Sequence, residues 1–119
     1  VFFSARLSLS QEVPQPAAAG AGAQGLFSAT LSGRFLRWQL AVSQLSGPAV
    51  VAVIRVGPKG VVGPRVMHLC EPCSASATGT LVLTAAQASK LLSGATYVNV
   101  GTHANPRGEI RGQIHHGKP

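Results

Sequence analysis

Aspartate is absent from this chain, and glutamate occurs only three times, at Glu12, Glu71 and Glu109. Paired-carboxylate catalysis therefore has almost nothing to draw on. No apolar run approaches the ~18–20 residues that cross a bilayer as a helix, so no membrane-inserted segment is expected. Charged residues make up 11% of the chain, well under the ~25% usual for soluble domains. Cysteine occurs twice, and methionine, tryptophan and tyrosine once each. Basic residues never form a run of five, and no recognition helix is visible, which argues against nucleic acid as a partner.

What is present points to short strands. The 119 residues suit one domain, large enough for a real core. Hydrophobic residues reach 45% and the mean hydropathy is +0.26, which excludes disorder as the starting assumption. Fourteen glycines and eight prolines supply many turns. The net charge is +7, and seven of the ten cations are arginines, whose planar forks suit sulfate, phosphate and carboxylate. The chain starts at Val1 without a recognisable signal peptide and is read as one domain, 1–119, of a longer protein.

Hydrophobic periodicity sets the elements. In residues 1–9, Phe3, Ala5, Leu7 and Leu9 alternate with Ser4, Arg6 and Ser8. Residues 11–24 carry Pro14 and Pro16 and read as a long connection. Leu26–Leu31 and Phe35–Val42 are two alternating runs joined at Ser32-Gly33, an antiparallel hairpin. Ala49–Val56 is a buried β-branched strand; Arg65–Leu69, Gly79–Leu83, Ala95–Val100 and Glu109–Ile114 are further strands. Thr84 and Gln87 have the spacing of a capping box, and Gly94 suits a helix stop, so one short helix is expected between them. With about eight short strands and a single helix, the expectation is an all-β fold, an antiparallel β-sandwich or flattened barrel. Trp38, Leu40, Val51, Val53, Leu81, Val98 and Ile110 are expected in its core. Tyr97 is read as inward too, a core residue in preference to a carbohydrate platform.

Cys70 and Cys73 are spaced C-E-P-C. Thioredoxin-like redox chemistry would need a helix start after them, and Pro72 with the SASATG tract indicates a loop. Structural zinc needs four ligands, and only His68, with His103 farther off, is near. A local disulfide in an exposed loop is the preferred reading, with pairing to a neighbouring domain second. His68, His103, His115 and His116 are read as surface or turn residues, and no metal or cofactor is expected. On the last strand, alternation puts Glu109 on one face with Arg107 and Arg111, an outward ion-pair ladder. Gly108 and Gly112 would allow neighbouring backbones to approach closely.

The stretch YVNVGTHANPRGEIRGQI from Tyr97 to Ile114 carries most of the information. With Val13-Pro14, GLFSATL from Gly25, LAVSQLSG from Leu40, AVIRVGP from Ala52, Gly63-Pro64, Gly79-Thr80 and LLSGATYVNV from Leu91, it resembles the CHRD (chordin) domain over nearly the whole chain. The alanine- and arginine-rich texture and the C-E-P-C loop are similar to vertebrate members of that family. The resemblance implies a secreted, extracellular, non-catalytic module. It would be one repeat in an antagonist of bone morphogenetic proteins, and its partners would be those growth factors and other domains of the same chain. Bacterial members resembling this chain carry histidine at the positions of Arg55 and Gly101, so a metal role does not transfer here. An extracellular family and a +7 charge together suggest heparan sulfate as an alternative partner. Arg34, Arg37, Arg55, Lys59, Arg65, Arg107 and Arg111 are then candidate sulfate-binding residues, with Arg37, Arg107 and Arg111 expected to point outward.

Overall fold

A computed structural model describes residues 1–12 and 22–118. The connection expected over 11–24 lies mostly outside the described residues. Among these residues nine strands run in chain order: β1 (Phe2–Ser8), β2 (Gln24–Ser32), β3 (Phe35–Ser43), β4 (Ala49–Val56), β5 (Arg65–Cys70), β6 (Ser76–Val82), β7 (Thr96–Thr102), β8 (Ile110–Gln113) and β9 (His115–His116). Among the described residues one α-helix, α1 (Ala85–Leu92), separates β6 from β7, and a 3-10 turn, Leu9–Gln11, follows β1. The strands form one antiparallel sheet in the order β5-β4-β7-β8-β1-β2-β3-β6, curled into an almost closed barrel, with β9 also paired to β1. The expected all-β architecture is thus observed in its barrel form.

The period of two explains the core. Phe3, Ala5 and Leu7 of β1 point into the barrel, as do Phe27 and Ala29 of β2 and Leu36, Trp38 and Leu40 of β3. Ile54, Val98, Val100 and Ile110 fill the opposite wall. Each of the valines, leucines, isoleucines and phenylalanines among them stabilises the fold by roughly 1.5–3 kcal/mol through burial. Of the expected core residues, Trp38, Leu40, Val98 and Ile110 belong to this cluster. Val53 is buried outside it, and Val51 and Leu81 are only half-buried. Trp38 lies directly opposite Gly79 in the ladder, and a Cβ at Gly79 would stand 2.7 Å from the indole. The ring therefore needs a glycine there.

Helix α1 begins as the sequence indicates. Thr84 Oγ1 accepts from Gln87 N at 3.1 Å, and Gln87 Oε1 accepts from Thr84 N at 2.9 Å. This reciprocal pairing satisfies two otherwise orphaned donors. Gln87 Nε2 also donates to Val66 O of β5 at 2.8 Å, fastening the helix beside that strand. The two ends of the described chain lie together: Gly117 N donates to Phe2 O at 2.7 Å, and the Val1 amino group donates to Leu31 O at 3.1 Å.

The first and last strands of the sheet, β5 and β6, do not pair with each other. They are joined by the short 71–75 connection, with Cys70 at the end of β5 and Cys73 within the connection. Cys70 and Cys73 form a disulfide with a Cα–Cα distance of 5.3 Å. Its setting corrects the exposed-loop expectation, because Cys73 is 7% exposed and packs in the core cluster. The connection turns inward there because Cys73 N donates to Ala49 O at 3.1 Å. Closing so short a loop stabilises the fold by about 2 kcal/mol on the chain-entropy account. A Cys70→Ala/Cys73→Ala variant is expected to lose about that much in denaturant titration. Thiol titration of the unreduced, denatured chain is expected to find no free thiol; two free thiols would refute the bond.

Candidate functional site

Three charged side chains are buried among the described residues, Glu12, Glu109 and Arg111, and the last two belong to the outer face of the last hairpin. Glu109, just before β8, is fully buried. Its Oε2 accepts from Ser46 N at 2.7 Å. Its Oε1 accepts from Thr102 Oγ1 and Asn105 Nδ2, each at 2.8 Å, and from Ser46 Oγ. Burial alone pushes this carboxyl up; the bonds from the Ser46 hydroxyl and amide, then Asn105 and Thr102, outweigh it and hold it below the usual glutamate value. Glu109 thereby ties the β3–β4 connection and the β7–β8 turn to the barrel. It belongs to no outward ladder with Arg107 and Arg111, which corrects that expectation.

Arg111 is 2% exposed, so the expectation that it points into solvent is also corrected. Its guanidinium lies over the Tyr97 ring at 3.4 Å from the centroid. Nη1 donates to Val61 O at 2.7 Å, and Nη2 donates to Pro58 O at 2.8 Å and Gln113 Oε1 at 2.9 Å. Burial, the largest effect, pulls its pKa down; Tyr97 and Glu12 oppose this, and Arg55 adds to it. The 57–64 connection is the cover. Gly63 N donates to the Tyr97 hydroxyl at 2.9 Å, Arg55 Nη1 donates to Gly63 O at 2.9 Å, and Gln113 Nε2 donates to Gly57 O at 3.1 Å. Tyr97 is therefore buried, yet on the outer face beneath this loop, not inward as expected. Alternation placed Glu109 and Arg111 on one face correctly, but two loops fold over that face and remove it from water.

A third buried contact joins Asn99 Nδ2 to Glu12 Oε2 at 2.7 Å. Gly108 lies against both side chains, and Gly112 lies against the Arg6 carbonyl of β1, leaving no room for a Cβ at either. The close approaches expected of these glycines are present. Gly101 is closed off similarly, since a Cβ there would sit 2.7 Å from Pro106 O. Among the described residues no group of three or more histidines, cysteines or carboxylates could hold a metal ion. His68, His103, His115 and His116 are exposed, and His68 Nε2 lies 3.5 Å from Glu71 Oε1.

The candidate sulfate-binding cations divide into separate groups. Arg34 and Arg37 are exposed on the β2–β3 hairpin. Arg55 and Arg65 are register partners on β4 and β5, with Lys59 in the adjoining 57–64 loop. In this group Arg55 is half-buried and bonded to a carbonyl, while Lys59 and Arg65 are exposed. Arg107 is exposed on the β7–β8 turn, and Arg111 is buried. Arg6, Lys90 and Lys118 lie outside that set and are exposed as well, and Lys118 stands 4.7 Å over the ring of Phe2. The alternation that turns Phe2 outward was the only signal of that contact. Two of the three acids, Glu12 and Glu109, are buried, so Glu71 is the only exposed carboxylate side chain of this sequence.

The fold and its anchors define a small all-β module whose buried polar groups serve its own loops. A family model described as the CHRD domain matches residues 3–114. The chain belongs to the CHRD domain family, an extracellular-type module. No curated protein and no solved structure matches it. Among the described residues no helix is long and apolar enough to cross a membrane.

Proposed function

We propose that the chain is a non-catalytic interaction and spacer module of a secreted, chordin-like antagonist of bone morphogenetic proteins. The observation that carries this reading is the use of Glu109 and Arg111. Their hydrogen-bonding atoms are engaged by Ser46, Thr102 and Asn105, and by Val61, Pro58 and Gln113. Groups held this way stiffen a surface; they are not free to transfer protons or to polarise a substrate. Membership of the CHRD family supports the extracellular setting. The test is surface plasmon resonance of the folded chain over an immobilised bone morphogenetic protein dimer. Saturable retention that disappears on heat unfolding is expected; no retention up to the solubility limit would overturn the growth-factor role.

A second reading, a heparan-sulfate-binding module, is favoured by the burial of Glu12 and Glu109. Withdrawing two of three acids leaves exposed cations nearly unopposed. Retention on immobilised heparin should then fall steeply as salt rises. Passage of the chain through the column at low salt would remove this reading.

A further inference from the structure

We infer that the free edge of β6 accepts an extended, acidic strand from a partner protein, which would occupy the open seam between β5 and β6. The hydrogen bonds of the β3–β6 ladder define the edge. Val42 N donates to Ala75 O at 2.9 Å, and Leu83 N donates to Arg34 O at 2.8 Å, bracketing the β3–β6 ladder. Bonding direction alternates along an antiparallel pair. Ala77, Gly79 and Leu81 therefore turn their amides and carbonyls toward β3, while Thr78, Thr80 and Val82 turn theirs to the seam. Those three residues are exposed, and β5 does not pair with them.

The two sides of the seam differ in a telling way. Sheet edges in natural proteins are normally blunted by charges, proline or bulges. On β5, Arg65 and His68 stand on the strand, its pairing with β4 shifts register twice, and Gln87 occupies the Val66 carbonyl. On β6, SATGTLV runs seven residues in unbroken register with β3, without charge or proline. Beside it Phe35 and Val82, register partners, are 57% and 68% exposed.

The seam also has a floor. A groove of about 510 Å³ lies along β6, lined by Trp38, Leu69, Cys70, Pro72 and Leu81. Trp38 is 4% exposed, and its Nε1 has no hydrogen-bond partner. The indole lies across Gly79, with this donor unpaired and covered from water. An added strand would pair its backbone with Thr78 and Thr80, set alternate apolar side chains over Trp38 and Leu69, and turn the others outward. Charge selects the occupant. The outward neighbour of Thr80 on β3 is Arg37, which has no carboxylate partner among the described residues. A second copy of the chain would bring another +7 to the same edge. An acidic strand is complementary.

Trp38 is the only tryptophan, so its emission reports on the seam directly. The probe is a short peptide of alternating Glu-Val-Thr-Val, with a Lys-for-Glu peptide as comparison. The Glu peptide is expected to shift Trp38 emission saturably and to slow hydrogen exchange at Thr78, Thr80 and Val82, and the Lys peptide to do neither. Thr80→Pro removes an amide that faces away from β3, so the fold should persist while affinity for the peptide falls about tenfold. Equal binding by Thr80→Pro with an unchanged melting curve would overturn the proposal. So would the absence of any emission change at millimolar peptide. Concentration-dependent dimerisation of the free chain, abolished by Thr80→Pro, would replace the acidic partner with a second copy.

Discussion

Glu109→Ala is expected to destabilise the domain by about 3 kcal/mol, a fall of roughly 12 °C in melting temperature. The side chain accepts from four groups, and its removal leaves the Ser46 amide and the Asn105 and Thr102 donors without their acceptor in a site largely screened from water. Glu109→Gln should also destabilise, because an amide presents its NH₂ to donors that need an acceptor. The two variants differ from the parent in acid. In the folded chain this carboxyl titrates below its unfolded value. Its contribution is therefore complete above the ordinary glutamate range and is lost as the pH falls through the folded value. Thermal melts between neutral pH and strong acid should show the parent losing this part of its stability, and Glu109→Gln lacking that acid-dependent loss. Identical acid profiles for both would show that Glu109 is not held ionised by its neighbours.

Arg111→Ala is expected to cost about 3 kcal/mol and to free the 57–64 connection. Three charge-assisted bonds and the cover over Tyr97 disappear together. Arg111→Lys should not restore them. One ammonium cannot reach Val61, Pro58 and Gln113 while lying flat on the Tyr97 ring. Limited proteolysis and hydrogen exchange provide the readout: protection of residues 57–64 should collapse in both variants, and protection of β2 and β3 should be kept. If Arg111→Ala melts like the parent and resists cleavage in this loop, the anchoring role is refuted. The same measurement separates stability from binding, because a surface arginine such as Arg37 should leave loop protection unchanged when replaced by alanine.

Much of the barrel is legible in the sequence, for a simple reason. Strand faces repeat every two residues, so Phe3, Ala5 and Leu7, or Leu36, Trp38 and Leu40, declare themselves by alternation. Ala49–Val56 is recognised to the residue because its β-branched run has turn signals at both ends. The capping box of Thr84 and Gln87 is equally local. Harder to read is β6. It begins at Ser76, three residues before the expected start, because SAT carries no clear apolar alternation and is held in the sheet by pairing with β3. The polar site is the least legible part. Parity assigns Glu109 and Arg111 to an outer face, while Tyr97, read as inward, belongs to that outer face too. Whether an outer face is wet depends on the paths of the 44–48 and 57–64 connections. Those paths follow from hydrogen bonds across more than fifty residues of sequence, such as Arg111 to Pro58 and Ser46 to Glu109.

The pairing of β9 with β1 has a mechanical consequence. Phe3 and His116 are direct register partners, so they stand about 5 Å apart in a body 39 Å long. In any longer polypeptide the chain would enter and leave this domain at nearly one point, and the barrel would hang from the main line as a pendant lobe. Such a domain adds bulk and little contour length. Tension applied through both ends would act across the β1–β9 ladder, peeling its bonds one after another in the manner of a zipper. Opening there would come at low force, and it would begin at the Gly117–Phe2 bond, before the strain reaches the Glu109 and Arg111 anchors.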